Sequence, residues 1–122
     1  MAQQTVTRGS VVLIRYPFTD LTGVKVRPAI VLTSDRLLPI LEDILCLFIS
    51  SVVHEELLPT DFVLDPEHPS FLKTGLKQRS VLRAHKVTVL HKSLILRLLG
   101  KISNDLMDEI NRRLEIALGL LR

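Results

Sequence analysis

The chain of 122 residues has one cysteine, no tryptophan, five glycines and an aromatic content of only 4%. Each scarcity excludes a class of protein. A lone Cys46 can form neither an internal disulfide framework nor a multi-cysteine metal site. The four histidines, His54, His68, His85 and His91, show no metal-ligand spacing with the cysteine or with one another. His54-Glu55-Glu56 lacks the second histidine four positions on that a helical zinc motif needs. The glycines stand singly, so there is no glycine loop to cradle a phosphate, and no metal or cofactor is expected. Tyr16, Phe18, Phe48, Phe62 and Phe71 are the only aromatics, too few for a stacking platform that coats single strands. Long hydrophobic runs are missing too: the most apolar stretch, Leu37 to Val53, is broken by Pro39, Glu42 and Asp43. It is too short and interrupted to span a bilayer. The opening residues are polar and lack a signal-peptide core. With a free thiol, this predicts a cytoplasmic protein without membrane association.

What is present is an ordinary globular composition, 47% hydrophobic and 24% charged, which predicts one domain over residues 1–122. A chain of this length buries roughly two-thirds of its unfolded surface and needs no staples. The net charge of +3 is mild, but its distribution is not. Residues 42–70 carry seven acids (Glu42, Asp43, Glu55, Glu56, Asp61, Asp65, Glu67) and no lysine or arginine. Residues 71–101 carry eight cations (Lys73, Lys77, Arg79, Arg83, Lys86, Lys92, Arg97, Lys101) and no acid. Either the two blocks pair across a sheet and cancel, or one face keeps a strong local field.

The first half reads as strands separated by turns. Val11-Val12-Leu13-Ile14 is a short apolar, β-branched run after Arg8-Gly9. Pro17, Asp20, Thr22 and Gly23 mark a loop over 17–26. Pro28 opens Ala29-Ile30-Val31-Leu32-Thr33, and Ile44 to Ser50 is a third apolar run. Continuous apolar runs between turn residues predict strands buried on both faces, as in a small closed barrel. Asp61 to Leu64 is one short strand in a loop-rich middle. Ser80 to Leu90 alternates imperfectly, predicting a long strand with one wet face, on which Arg83 and His85 emerge together. Leu94 to Leu99 fits a helical turn or a short strand equally.

The C-terminus is the clearest helix. Ser103 is a candidate N-cap, with Asp105, Asp108 and Glu109 where the helix dipole favours acids. Leu106, Met107, Ile110, Leu114, Ala117, Leu118 and Leu121 share one face. Asp108–Arg112 and Glu109–Arg113 are candidate pairs on the polar side.

Chemistry is suggested by a polar set beside the strands. Arg27 stands between a loop and a buried strand, Ser50 and Ser51 end another, and Arg83 and His85 lie on a third. Guanidinium groups stabilise charge building on phosphate oxygens, and a hydroxyl holds the phosphate in register. Each also has a plain reading: an exposed arginine, turn serines, a solvated histidine.

Together these residues resemble the MazF/PemK family of bacterial toxins, the ribonuclease half of toxin–antitoxin pairs. The matching stretches are Arg8 to Leu13, Tyr16 to Gly23, Val26-Arg27-Pro28-Ala29-Ile30-Val31-Leu32, Leu47 to Ser51, Ser80 to Arg83, and the helix from Ser103 to Leu120. They occur in the family's order and extend over nearly the whole chain. The Arg-Pro step before an apolar strand is the most specific.

The resemblance implies a β-rich α+β fold, a small SH3-like β-barrel with a C-terminal helix, working as a homodimer. It implies metal-independent cleavage of single-stranded RNA, in which the ribose 2′-hydroxyl attacks the adjacent phosphate and leaves a cyclic phosphate and a 5′-hydroxyl. Arg27 matches the family's catalytic arginine. Ser50 matches a hydroxyl residue, with Ser51 as the alternative if the register slips, and Arg83 matches a second arginine. Thr19, Thr22, Lys25, Ser51, Lys77, Arg79 and Lys86 are expected to contact RNA. A cognate antitoxin, an acidic and partly disordered segment, is the implied protein partner. Two departures stand out: Ser10 replaces an acid of the opening motif, and His85 stands where the PemK-like branch has an aspartate. Either His85 replaces that aspartate as general base, or the chain is a weakened or non-enzymatic barrel that binds nucleic acid or protein without turnover.

Overall fold

The computed structural model describes residues 5–16 and 25–120. Six strands precede one helix: β1 (Ser10–Tyr16), β2 (Lys25–Val31), β3 (Asp43–Ser50), β4 (Asp61–Leu64), β5 (Ser80–His91), β6 (Ile95–Lys101) and α1 (Asn104–Ala117). All pair antiparallel in one sheet of order β4-β5-β3-β2-β1-β6. The β-rich class with a C-terminal helix is as expected, and the ambiguous run at Leu94 to Leu99 is a strand after a single 3-10 turn.

Closure into a barrel by strand pairing is not found among the described residues, because β4 and β6 are the free edges of the ladder. What lies against β6 is instead the short 3-10 turn Leu72–Thr74. Two glycines permit that approach. A Cβ on Gly100 would lie 2.2 Å from the Lys73 carbonyl oxygen, and one on Gly75 would lie 2.1 Å from that of Leu99. Gly75 also sits at φ 74°, a left-handed conformation that other residues avoid.

The central strands are buried on both faces, as their continuous apolar runs predict. Alternation sends Val11, Ile30, Leu47 and Ile49 into one cluster, completed by Phe71, Leu106 and Ile110. It sends Val12, Ile14, Ala29, Val31, Ile44 and Cys46 into another, covered by Leu38 and Leu90. Burial pushes the Cys46 thiol up to about 12, so it stays protonated and unreactive at neutral pH.

Helix α1 closes the first cluster. Ser103 caps it, its Oγ accepting the Leu106 N–H at 3.3 Å, and Leu106 and Ile110 are fully buried. Arg113 donates to Glu109 at 2.8 and 3.0 Å and to the Pro59 carbonyl at 2.8 Å, tying the helix to the segment before β4. The expected Asp108–Arg112 pair is replaced by Arg112–Glu109 at 3.8 Å, a spacing one residue shorter. Leu118 is 64% exposed because the helix stops at Ala117 and Leu118 is already its C-cap. No helix among the described residues is long and apolar enough to cross a membrane.

Candidate active site

The site forms where the sheet comes apart. β2 pairs with β1 over Lys25 to Ile30 but with β3 only over Ala29 to Val31. Pro28 lies where β2 has β1 as its sole hydrogen-bonded neighbour, an edge-like position in which proline is tolerated. Pro28 is therefore internal to β2 and does not open it as the sequence suggested. Just before it, Arg27 reaches the gap left beside β3.

A second irregularity widens that gap. Leu47 pairs with Val87, but Ile49 pairs with Leu82, so five residues of β5 are traversed against two of β3. Phe48 thus faces a bulge made of residues 83–86. Such bulges re-aim side chains beside functional sites. Here the bulge brings Arg83 and Lys86, three residues apart, to one cavity.

That cavity holds about 320 Å3 and is lined by Arg27, Phe48, Ile49, Ser50, His54, Arg83, Lys86 and Thr88. An adjoining one of about 400 Å3 shares Arg27 and Ile49 and adds Ser51, Lys77, Gln78 and Arg97 among its walls. Among the described residues no acid lines either cavity. The structure therefore unites Arg27, Ser50 and Arg83, and separates the two serines: Ser50 belongs to the smaller space, Ser51 to the larger. The Ser50 hydroxyl accepts the Val52 N–H at 3.1 Å, which leaves its own proton available to donate.

Arg83 is braced from behind. Its Nε donates to Asp61 Oδ1 at 2.7 Å and its Nη2 to Oδ2 at 3.3 Å, a two-point pairing that fixes the guanidinium plane. The Asp61 side chain has no exposed surface. Burial alone would raise its pKa, but the Arg83 hydrogen bond, the Leu58 N–H and the nearby charges of Arg83 and His85 outweigh burial and hold it below 3.8.

His85 is not among the residues lining the cavity. It sits within the bulge, where simple alternation fails, and its Nδ1 lies 2.6 Å from Thr60 Oγ1. Arg79, an expected RNA contact, pairs with Asp65 at 3.2 Å and lines neither cavity. Lys25 is exposed at the start of β2 and lines neither cavity. Lys77, Lys86 and Ser51 do line them, whereas Thr19 and Thr22 lie outside the described residues. Sequence reasoning missed His54 and Arg97. His54 had been weighed only as a metal ligand, and Arg97 lay in the run of undecided structure.

Among the described residues no cluster of histidine, cysteine and carboxylate groups could hold a metal ion. A larger cavity of about 620 Å3 lies elsewhere, against Val6, Leu38, Pro39, Ile44 and Ile95. Its walls are mostly apolar, and Lys92 at its rim is engaged by the Leu38 carbonyl. Size does not make it the site, because among the described residues its walls set a single cation, Lys92, against the acid Asp35.

The fold is thus a six-stranded antiparallel sheet with one C-terminal helix, and its cleft is lined by cations. Residues 7–118 match the model of the PemK-like, MazF-like toxins of type II toxin–antitoxin systems, and the chain belongs to that family. Solved structures share the fold. A MazE–MazF complex from Deinococcus radiodurans superposes with a TM-score of 0.74 at 21% identity, covering 96% of this chain and 99% of that one. The Mycobacterium tuberculosis toxin MazF-mt6 gives 0.72 at 18% identity, covering 90% and 96%. An endoribonuclease in complex with its cognate antitoxin from a mycobacterial species gives 0.71 at 21%, covering 95% and 97%. No curated protein matches the chain by sequence.

Proposed function

We propose that the protein is a metal-independent endoribonuclease that cuts single-stranded RNA at the cleft around Arg27. The observation that carries this reading is the meeting of Arg27, Ser50 and Arg83 at one cavity with no acid among the described residues of its walls, in a chain of this toxin family. The ribose 2′-hydroxyl attacks the neighbouring phosphorus, the bond to the 5′-oxygen breaks, and a cyclic phosphate and a 5′-hydroxyl are left. Arg27 and Arg83 stabilise the charge that grows on the non-bridging oxygens, where preorganised donors are worth most. The Ser50 hydroxyl donates to one of those oxygens and sets the register. His85 and Thr60 belong to the brace behind Arg83, through the charge His85 adds beside Asp61.

The protein works as a homodimer, and its partner is an acidic antitoxin segment that occupies the same cationic cleft and excludes RNA. One similar structure is described as an endoribonuclease in complex with its cognate antitoxin and another as MazE-MazF, and charge complementarity supports an acidic partner at this cleft. The test is incubation with a defined single-stranded RNA in excess chelator. The wild-type protein cuts it, and Arg27→Ala lowers the rate by about 10²–10³-fold, the loss typical of one charge-stabilising donor. Cleavage that persists undiminished in that variant contradicts the reading.

A further inference from the structure

We propose that His54 is the group that takes the proton from the attacking ribose 2′-hydroxyl. The inference rests on the ribonuclease reading and supplies what that reading lacks, a general base. Arg27, Arg83 and Lys86 face the smaller cavity as cations from β2 and β5, and Ser50 faces it from β3. Guanidinium groups do not lose their protons in proteins, and a serine hydroxyl is not a base at neutral pH. Histidine is the residue type that gains and loses a proton in that range, and His54 is the one histidine lining this cavity.

The other histidines are committed elsewhere. Nδ1 of His85 lies on Thr60 Oγ1 at 2.6 Å, Nδ1 of His68 accepts the Ser70 N–H at 3.0 Å, and Nδ1 of His91 lies on Ser93 Oγ at 2.8 Å. The His54 ring makes no hydrogen bond to any described residue. It sits exposed on the segment between β3 and β4, with Glu55 and Glu56 following on the same loop. An imidazole at a cationic cavity, bonded at neither nitrogen by a described residue and open to solvent, is placed to accept a proton from a substrate and pass it on.

The step balances without a co-reactant beyond water. Neutral imidazole takes the 2′-hydroxyl proton as the 2′-oxygen bonds to phosphorus. The phosphorus–5′-oxygen bond breaks, the departing oxygen takes a proton from water, and the imidazolium returns its proton to solvent.

The test compares full-length wild type, His54→Ala and His54→Asn on a short single-stranded RNA in chelator. A parallel binding assay uses the same RNA with a 2′-deoxy residue at the cut. Because His54 is exposed in a loop, neither change touches the core. The expected result is a fall in rate of about 100-fold for both variants, within the range of general-base loss. Affinity for the uncleavable RNA is unchanged, added imidazole partly restores His54→Ala, and the rising limb of the pH–rate profile disappears. Wild-type rates in the variants, no rescue by imidazole, or affinity falling in step with rate each overturn the assignment of His54. If wild type cuts while His54→Ala cuts equally well, only that assignment fails. If wild type leaves the RNA intact, the ribonuclease reading fails and takes the assignment with it.

Discussion

At the β4–β5 edge, cations of the basic block meet acids of the block before it, Arg83 on Asp61 and Arg79 on Asp65. At the split between β2 and β3, the same basic block supplies Lys77, Lys86 and Arg97, which together with Arg27 face cavities with no acid among their described lining residues. The two regions draw on one stretch of sequence and end in opposite electrostatic states. Both readings of the segregated charge therefore hold, each in its own place: the blocks cancel along a paired edge and leave a field where the ladder is broken. Arg83 belongs to both regions. Its pairing with Asp61 withdraws charge from the cleft but fixes the guanidinium there, so Arg83 acts by position.

Breaking the buried pair gives the largest effect. Asp61→Ala leaves Arg83, whose side chain is only 15% exposed, without its counter-charge, and lowers stability by about 3–5 kcal/mol. Urea denaturation reads this as a lower midpoint. A change below 1 kcal/mol would show that the brace contributes little.

Acid is the next lever. Asp61 is held below its ordinary value of 3.8, so its unfolded form binds protons more readily than its native form as the pH drops. Its contribution is fully present above the unfolded-state value and is lost as pH falls through the lower native one. Asp61→Asn is therefore less stable than wild type at neutral pH, and the difference closes below about pH 4. A gap that stays constant to pH 2 would assign the loss to packing instead of charge.

On the open side, Lys77→Ala and Lys86→Ala weaken RNA binding and each reduce the slope of log affinity against log salt by about 0.7, the value for one phosphate contact on a single strand. An unchanged slope would place the RNA elsewhere. The smallest effect is expected at the other pair of the closed edge. Arg79 and Asp65 are 56% and 58% exposed, so Arg79→Ala shifts stability by no more than about 0.5 kcal/mol. Equal losses from Arg79→Ala and Asp61→Ala would erase the distinction between a buried brace and a solvated pair.

Much of the fold was legible because burial on both faces leaves continuous apolar runs, as in Ile44 to Ile49, and because Ser103 and its acidic followers mark a helix start. Arg27 and Ser50 were legible through the Arg-Pro step and the end of an apolar strand. What could not be read was whatever depends on pairing between distant segments. The bulge at residues 83–86 exists only because β3 and β5 change register, so nothing local separates the neighbours Lys86, which reaches the cavity, and His85, which does not. Asp61 finds Arg83 through β4–β5 register, 22 positions away. Barrel closure was expected from compact apolar strands, but β6 meets a 3-10 turn through Gly75 and Gly100, a contact no periodicity announces. His54 stands in a polar loop, where sequence alone gives no sign of what faces it.

The central claim is that the cationic cleft around Arg27 cuts RNA by attack of the RNA's own 2′-hydroxyl. Its most direct test is the chemistry of the ends left after wild-type protein acts on a defined single-stranded RNA in excess chelator. The account predicts a cyclic phosphate on one fragment and a 5′-hydroxyl on the other, and no cut at a 2′-deoxy position. Fragments with a 5′-phosphate, cleavage at the deoxy position, or intact RNA would contradict it.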